Sequence, residues 1–196
     1  NFYQYLPCEL RLTGFGGATN LMEPIHQARY DKKGESNLPL TSNHKEWAKL
    51  YYAAIKGDVE TVDRLLAGID INIQDTYGYT PLHAAVRLNR IEVARLLLDK
   101  GAKVDVQGIN RDTALHLAAD QKDSEMAKLL LQYKANPDIQ GNYDLTPLHL
   151  AVICQDEKMV ELLLQYKANP DIGQKYPNSD VTNARLPLHT AASGKK

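Results

Sequence analysis

Leu129-Leu-Leu-Gln-Tyr-Lys-Ala-Asn-Pro-Asp-Ile139 recurs, residue for residue, as Leu162-Leu-Leu-Gln-Tyr-Lys-Ala-Asn-Pro-Asp-Ile172. The two copies begin 33 residues apart, and the same step carries Pro81-Leu82-His83 to Ala114-Leu115-His116 and on to Pro147-Leu148-His149. A fixed period of this length means a row of small similar units that share their core with their neighbours.

One unit runs from Asp75 to Gln107. Asp75-Thr-Tyr-Gly78 is a turn sequence, and Pro81 suits the first turn of a helix because its missing N–H is not needed there. Leu82, Ala84, Ala85 and Val86 form a short apolar helix that Asn89-Arg90 ends. A second helix begins near Ile91, with Val93, Leu96 and Leu97 on one face. Gly101 then closes it as a C-terminal glycine cap. Two further units follow this plan, Thr113-Ala-Leu-His116 leading to Met126-Ala-Lys-Leu-Leu-Leu131 and Thr146-Pro-Leu-His149 leading to Met159-Val-Glu-Leu-Leu-Leu164. Helices this short do not stand alone in water, so each must bury its leucines against the next unit.

With its Thr-Pro-Leu-His openings and this period, the chain resembles the ankyrin-repeat family. The resemblance implies an all-α solenoid of helix-turn-helix units joined by β-hairpin-like turns. A degenerate first unit holds Trp47-Ala-Lys-Leu50 and Leu65-Leu66, lacking the Thr-Pro-Leu-His opening, as end units do when one face meets water. The organisation expected is a non-repeat segment over 1–43 and a repeat domain over 44–196. Its units lie at about 44–74, 75–107, 108–140 and 141–173, with a partial unit at 180–196 beginning before Leu186-Pro-Leu-His189. In the leader, Leu6-Pro-Cys-Glu-Leu10 resembles the opening of an F-box, and Thr13-Gly-Phe-Gly-Gly-Ala-Thr19 reads as a turn, having no phosphate-loop order.

Composition narrows the function classes. Lys and Arg total 23 against 24 Asp and Glu, a formal net charge of -1, which gives no general attraction to nucleic acid. There is no run of about 18 apolar residues to span a membrane. Cys8 and Cys154 form no CxxC or Cys/His cluster and read as free thiols of a reducing compartment, hence a cytoplasmic protein. No nucleophile-base set or zinc motif is present, so neither enzymatic activity nor a cofactor or metal is expected. The recurring His83, His116, His149 and His189 would stand about 10 Å apart in a helix stack, too far to share an ion held near 2 Å. In the resembling family this histidine ties the threonine three residues upstream to the adjacent loop.

What the resemblance implies for function is protein binding, as a scaffold, adaptor or inhibitor, by a monomer whose concave surface takes a partner protein. The family's variable positions fall on the fingertips Thr76, Tyr77 and Tyr79, then Ile109, Asn110 and Asp112, then Asn142, Tyr143 and Leu145. On the first helices they fall on Arg87 and Leu88, Asp120 and Gln121, and Ile153 and Cys154. Tyr and Arg are common interface anchors. The alternatives are the substrate-docking part of a larger enzyme and a ubiquitin-ligase adaptor using the leader. Either is compatible with an effector that acts in a host cytosol. The turn residue Gly78 becomes Arg111 and Asp144 in the next units, a position the family holds in the left-handed conformation that glycine adopts most easily.

Overall fold

The structure is a computed structural model that describes residues 42–75 and 77–173. The leader motifs, the partial last unit with His189, and Thr76 lie outside the described residues. Among those described are eight α-helices: α1 (Ser42–Lys56), α2 (Val59–Leu65), α3 (Pro81–Arg87), α4 (Ile91–Asp99), α5 (Ala114–Asp120), α6 (Ser124–Gln132), α7 (Pro147–Ile153) and α8 (Glu157–Gln165). They pair as α1–α2, α3–α4, α5–α6 and α7–α8. The first helices stack in the order α1, α3, α5, α7, while α2 meets α4 and α6 meets α8. Each substantial helix contact is within a unit or with the next one. No strand is formed among the described residues, so the units are joined by turns alone.

Equivalent residues fill equivalent places. Leu82, Leu115 and Leu148 are buried in the first helices, and Leu97, Leu130 and Leu163 in the second ones. Burying a leucine side chain in this way stabilises by about 1.5–3 kcal/mol, which is how helices of seven to nine residues persist. Ala85, Ala118 and Ala151 are fully enclosed, and their small side chains let successive first helices approach.

The first helices α3, α5 and α7 open on a threonine with extended backbone, Thr80, Thr113 and Thr146 in turn, followed at the third helical position by a histidine. The threonine N–H donates to the imidazole Nδ1 at 3.1 Å in all three units. That bond makes Nδ1 the unprotonated nitrogen and leaves the proton on Nε2. His116 Nε2 uses it, donating to the Leu145 carbonyl of the next turn at 3.0 Å. His83 Nε2 is buried and feels the Asp112 carbonyl without closing a hydrogen bond. The degenerate first unit reaches the same end by other means. The Trp47 indole N–H donates to the Tyr79 carbonyl at 3.2 Å, and residue 79 holds the place in its turn that 145 holds in the last one. Trp47, stacked on Tyr51 with ring centroids 4.3 Å apart, therefore does what the histidine does later.

Polar side chains stitch the turns together at the same period. Gln107 Nε2 donates to the Arg111 carbonyl of its own turn and to the Gln140 carbonyl one unit on, and Gln140 does so to Asp144 and Gly173. In the loops after the second helices, Asn72 accepts from the Lys103 N–H, Asp105 from Asn136 and Asp138 from Asn169. Two glycines allow the units to come this close. A Cβ at Gly141 would stand 2.4 Å from Asp112 Oδ1, and one at Gly108 would stand 2.5 Å from the Tyr79 ring.

Left-handed residues also repeat. Gly78, Arg111 and Asp144 share one turn position, with φ of 73°, 64° and 55°. Gly101, Lys134 and Lys167 follow the second helices with φ of 91°, 64° and 63°. The cost to a residue with a Cβ there is about 1 kcal/mol. At Arg111 that cost is partly offset by an exposed ion pair with Asp144 at 3.0 Å, whereas no salt bridge joins Lys134 to another of the described residues. Lys134→Gly is therefore the cleaner test. It is expected to raise the unfolding free energy by about 1 kcal/mol, read as a higher midpoint in a denaturant melt.

Burial holds the His83 and His116 pKa values down, from the ordinary 6.5 to about 4. Below pH 6.5 the unfolded chain takes up protons on these rings that the folded one refuses. Their contribution to stability is therefore complete above about pH 6.5 and is lost as the pH falls toward 4. Thermal melts from pH 7.5 to pH 4 should show a falling midpoint, and a variant with both rings replaced by glutamine should show a flatter profile over that interval.

Candidate partner-binding site

Three fingertip turns stand in a row, each closed by the N–H of its first residue donating to the carbonyl four residues on: Asp75 to Tyr79, Gly108 to Asp112, and Gly141 to Leu145. Neighbouring tips are also bonded to each other. Ile109 N–H donates to the Tyr77 carbonyl at 2.7 Å, and Asn142 N–H donates to Asp112 Oδ1 at 3.0 Å. The surface these tips present is thus fixed before any partner arrives, which lowers the ordering cost of binding.

The structure separates the expected contact residues into different places. Ile109 and Tyr143 project into solvent, each 63 % exposed, and are the largest apolar side chains so placed on the tips. Asn142 is exposed, and Tyr77, Asn110, Arg87, Leu88, Asp120 and Ile153 are half-buried. Tyr79 folds over Gly108 and meets the His83 ring edge-on at 5.4 Å; burial, with the Asp112 charge adding to it, pushes its phenol pKa up. Asp112 serves as acceptor for the next tip, and burial raises its carboxyl pKa against the lowering effect of the Asn142 N–H. Gln121 donates to the Arg87 carbonyl at 2.7 Å, joining two first helices.

Two expected contact residues are not on the surface. Leu145 and Cys154 are buried, Leu145 because it packs in the shared core while its carbonyl takes the His116 proton. Cys154 is disulfide-bonded, which corrects the expectation of a free thiol there and removes the argument for a reducing compartment that rested on it. Cys8 lies outside the described residues. What the sequence reading missed is the joining role of Tyr79, Asp112 and Gln121. It also missed the turn-joining glutamines, whose visible signal is their recurrence at 74, 107 and 140, just before each turn.

A shallow pocket lined by Tyr51, Tyr79, Arg87 and Leu117, among others, lies where fingertips meet first helices. A larger open groove, about 500 Å³, runs along the turns between first and second helices and is lined by polar residues such as Gln121, Lys122, Asp123 and Lys158. Among the described residues no cluster of three or more His, Cys, Asp or Glu is placed to hold a metal ion. No helix among them is long and apolar enough to cross a membrane.

These features define a stack of ankyrin units. A family model described as ankyrin repeats (3 copies) matches residues 18–108 and 106–176, and the chain belongs to that family. Such repeats generally mediate protein–protein interaction, and the family is typically non-catalytic. Among curated relatives, a 2-5A-dependent ribonuclease of Mus musculus is 47 % identical over 57 residues, 28 % of this chain and 8 % of the relative. Protein phosphatase 1 regulatory subunit 12A of Mus musculus is 47 % identical over 51 residues, 26 % of this chain and 5 % of the relative. The ankyrin repeat, SAM and basic leucine zipper domain-containing protein 1 of Equus caballus is 34 % identical over 76 residues, 38 % of this chain and 15 % of the relative. The chain thus spans a small fraction of the length of these proteins.

The two kinds of fingertip residue should respond differently to substitution. Ile109→Ser and Tyr143→Ser are expected to change the unfolding free energy by no more than about 0.5 kcal/mol. Leu145→Ser should cost about 2–4 kcal/mol, since it opens a cavity and buries a hydroxyl. Urea melts of the three variants would check the assignment.

Proposed function

We propose that this chain is a protein-binding module, acting as a scaffold, adaptor or inhibitor. In this reading one partner protein lies across the tips at Tyr77, Asn110, Ile109, Asn142 and Tyr143 and along the first-helix residues Arg87, Leu88, Asp120 and Ile153. The observation that carries it is the exposure of Ile109 and Tyr143 on adjoining, mutually bonded fingertips. Large apolar side chains held out from a rigid surface are costly unless something covers them. Tyr143 adds to this, because it sits at φ 55°, a backbone conformation that bulky residues rarely adopt. Thr76 would extend the first tip.

The module works as a monomer and carries out no catalysis in this reading. The near-zero net charge supports a protein rather than a nucleic acid or an anionic membrane as the ligand. A cytoplasmic setting belongs to the same proposal and would require the Cys154 disulfide to be reduced, because cytosolic thiols are kept reduced. A second reading is supported by the length of the relatives, one of them named as a ribonuclease: the repeats would dock a substrate or regulator for activity carried elsewhere in a longer polypeptide.

The double variant Tyr77→Ala/Tyr143→Ala should lose partner capture from a cell lysate, by at least tenfold in recovered partner, while its melting temperature stays within a few degrees of the parent. Undiminished capture by the folded variant would refute the assigned surface.

A further inference from the structure

One stripe of the second helices changes its surroundings along the stack. It holds Ile91, Ala94 and Leu98 in α4, Ser124, Ala127 and Leu131 in α6, and Glu157, Val160 and Leu164 in α8, an i, i+3, i+7 row on one side of each helix. The alanines and leucines of α4 and α6 are enclosed, none more than 5 % exposed, and α6 is met by α8. No further second helix stands beyond α8 among the described residues. There Val160 is half-buried and Leu164 is 47 % exposed. The outer face of a repeat that meets water is normally polar, whereas α8 presents an apolar pair.

The row is its own complement. Turned about a two-fold axis across the middle of α8, at Leu162, a second copy lies antiparallel to the first. Val160 of each copy then faces Leu164 of the other, since the two are equally far from Leu162 in the sequence. On the same axis Glu157, exposed in the first turn, comes opposite Lys167, exposed just past the helix end. Neither is ion-paired with another of the described residues. Antiparallel helices also set the positive end of one macrodipole beside the negative end of the other.

We propose that the outer face of α8 is a self-association surface. A second copy of this chain docks its own α8 there antiparallel, Val160 against Leu164 and Glu157 against Lys167, in a contact that uses the same patch on both sides. Two helices of nine residues bury far less than the roughly 1,200 Å² at which stable pairs begin. The pairing is therefore transient, and dilute solutions hold single chains, as in the module proposed above. The contact uses none of the residues of the partner row. A pair thus holds two such rows together, which raises the avidity for a partner that offers two sites.

The test uses the full chain and no other protein, so it stands or falls separately from the capture experiment. Sedimentation equilibrium from about 10 µM to about 1 mM should show the mass rising from one chain toward two. Leu164→Glu, at an exposed position, should weaken this association at least tenfold. Glu157→Lys should weaken it as well, and adding Lys167→Glu should restore it. Carbodiimide coupling in a mixture of isotope-labelled and unlabelled copies should join Glu157 of one to Lys167 of the other. Along a single chain these residues stand about 15 Å apart, too far for a zero-length link. A mass that stays that of one chain at every concentration would overturn the inference. So would an association that Leu164→Glu leaves untouched.

Discussion

At two of the described junctions the units are coupled by a main-chain carbonyl that accepts a bond from the unit before it. In the third unit the donor is His116, reaching Leu145, and in the first it is Trp47, reaching Tyr79. That carbonyl, just before a helix-opening threonine, also accepts the N–H four residues earlier in its own turn, so the bond from the preceding unit fills its second acceptor site and gives the donor's buried N–H a partner, without which it would be expensive. Capping it does two things together. It gives a buried donor, Trp47 or His116, its acceptor, and it sets the distance between units at which the leucine and alanine rows interlock. Of the two neutral tautomers only the one with its proton on Nε2 can make this bond, and the threonine N–H, donating to Nδ1 on the other side of the ring, selects it. Burial, by holding the imidazole pKa near 4, keeps that tautomer in place at ordinary pH.

Much of this was open to reading from residues alone. The 33-residue period, the threonine-to-histidine spacing and the second-helix leucines locate α3 to α8, because each signal is local and recurs in phase. Gly78 and Gly101 pointed to two left-handed positions, and the structure finds Arg111, Asp144, Lys134 and Lys167 in the same conformation at the equivalent places. Here the fold overrides what those residues prefer by themselves. Trp47 was harder. Nothing in its own neighbourhood says that an indole will take over the histidine's bond, since that becomes visible only when residue 79 is brought beside it.

The candidate surface was read less completely for a similar reason. Position within a turn tells which residues can vary, but not which way a side chain goes once the next tip is packed against it. Leu145 and Tyr79 each precede a threonine in sequence, and both turn inward over a neighbour, whereas Ile109 and Tyr143 stay largely exposed. Asp112 looks like a contact residue by its place in the turn. It is committed instead to the Asn142 N–H. Side chains that join units and side chains that face outward are interleaved along the same short stretch, and only the packing separates them.

The joins have a further consequence for how such a protein can change. Gln107, Gln140, Asp105 and Asp138 all reach forward to peptide groups of the following unit. Peptide groups are the same whatever side chains they carry, so these seams are blind to the identity of the neighbour. A unit could be copied, moved or exchanged without relearning its junction, which fits an eleven-residue block standing unchanged in two successive positions. Novelty can then accumulate at the tips while the couplings between units stay interchangeable parts.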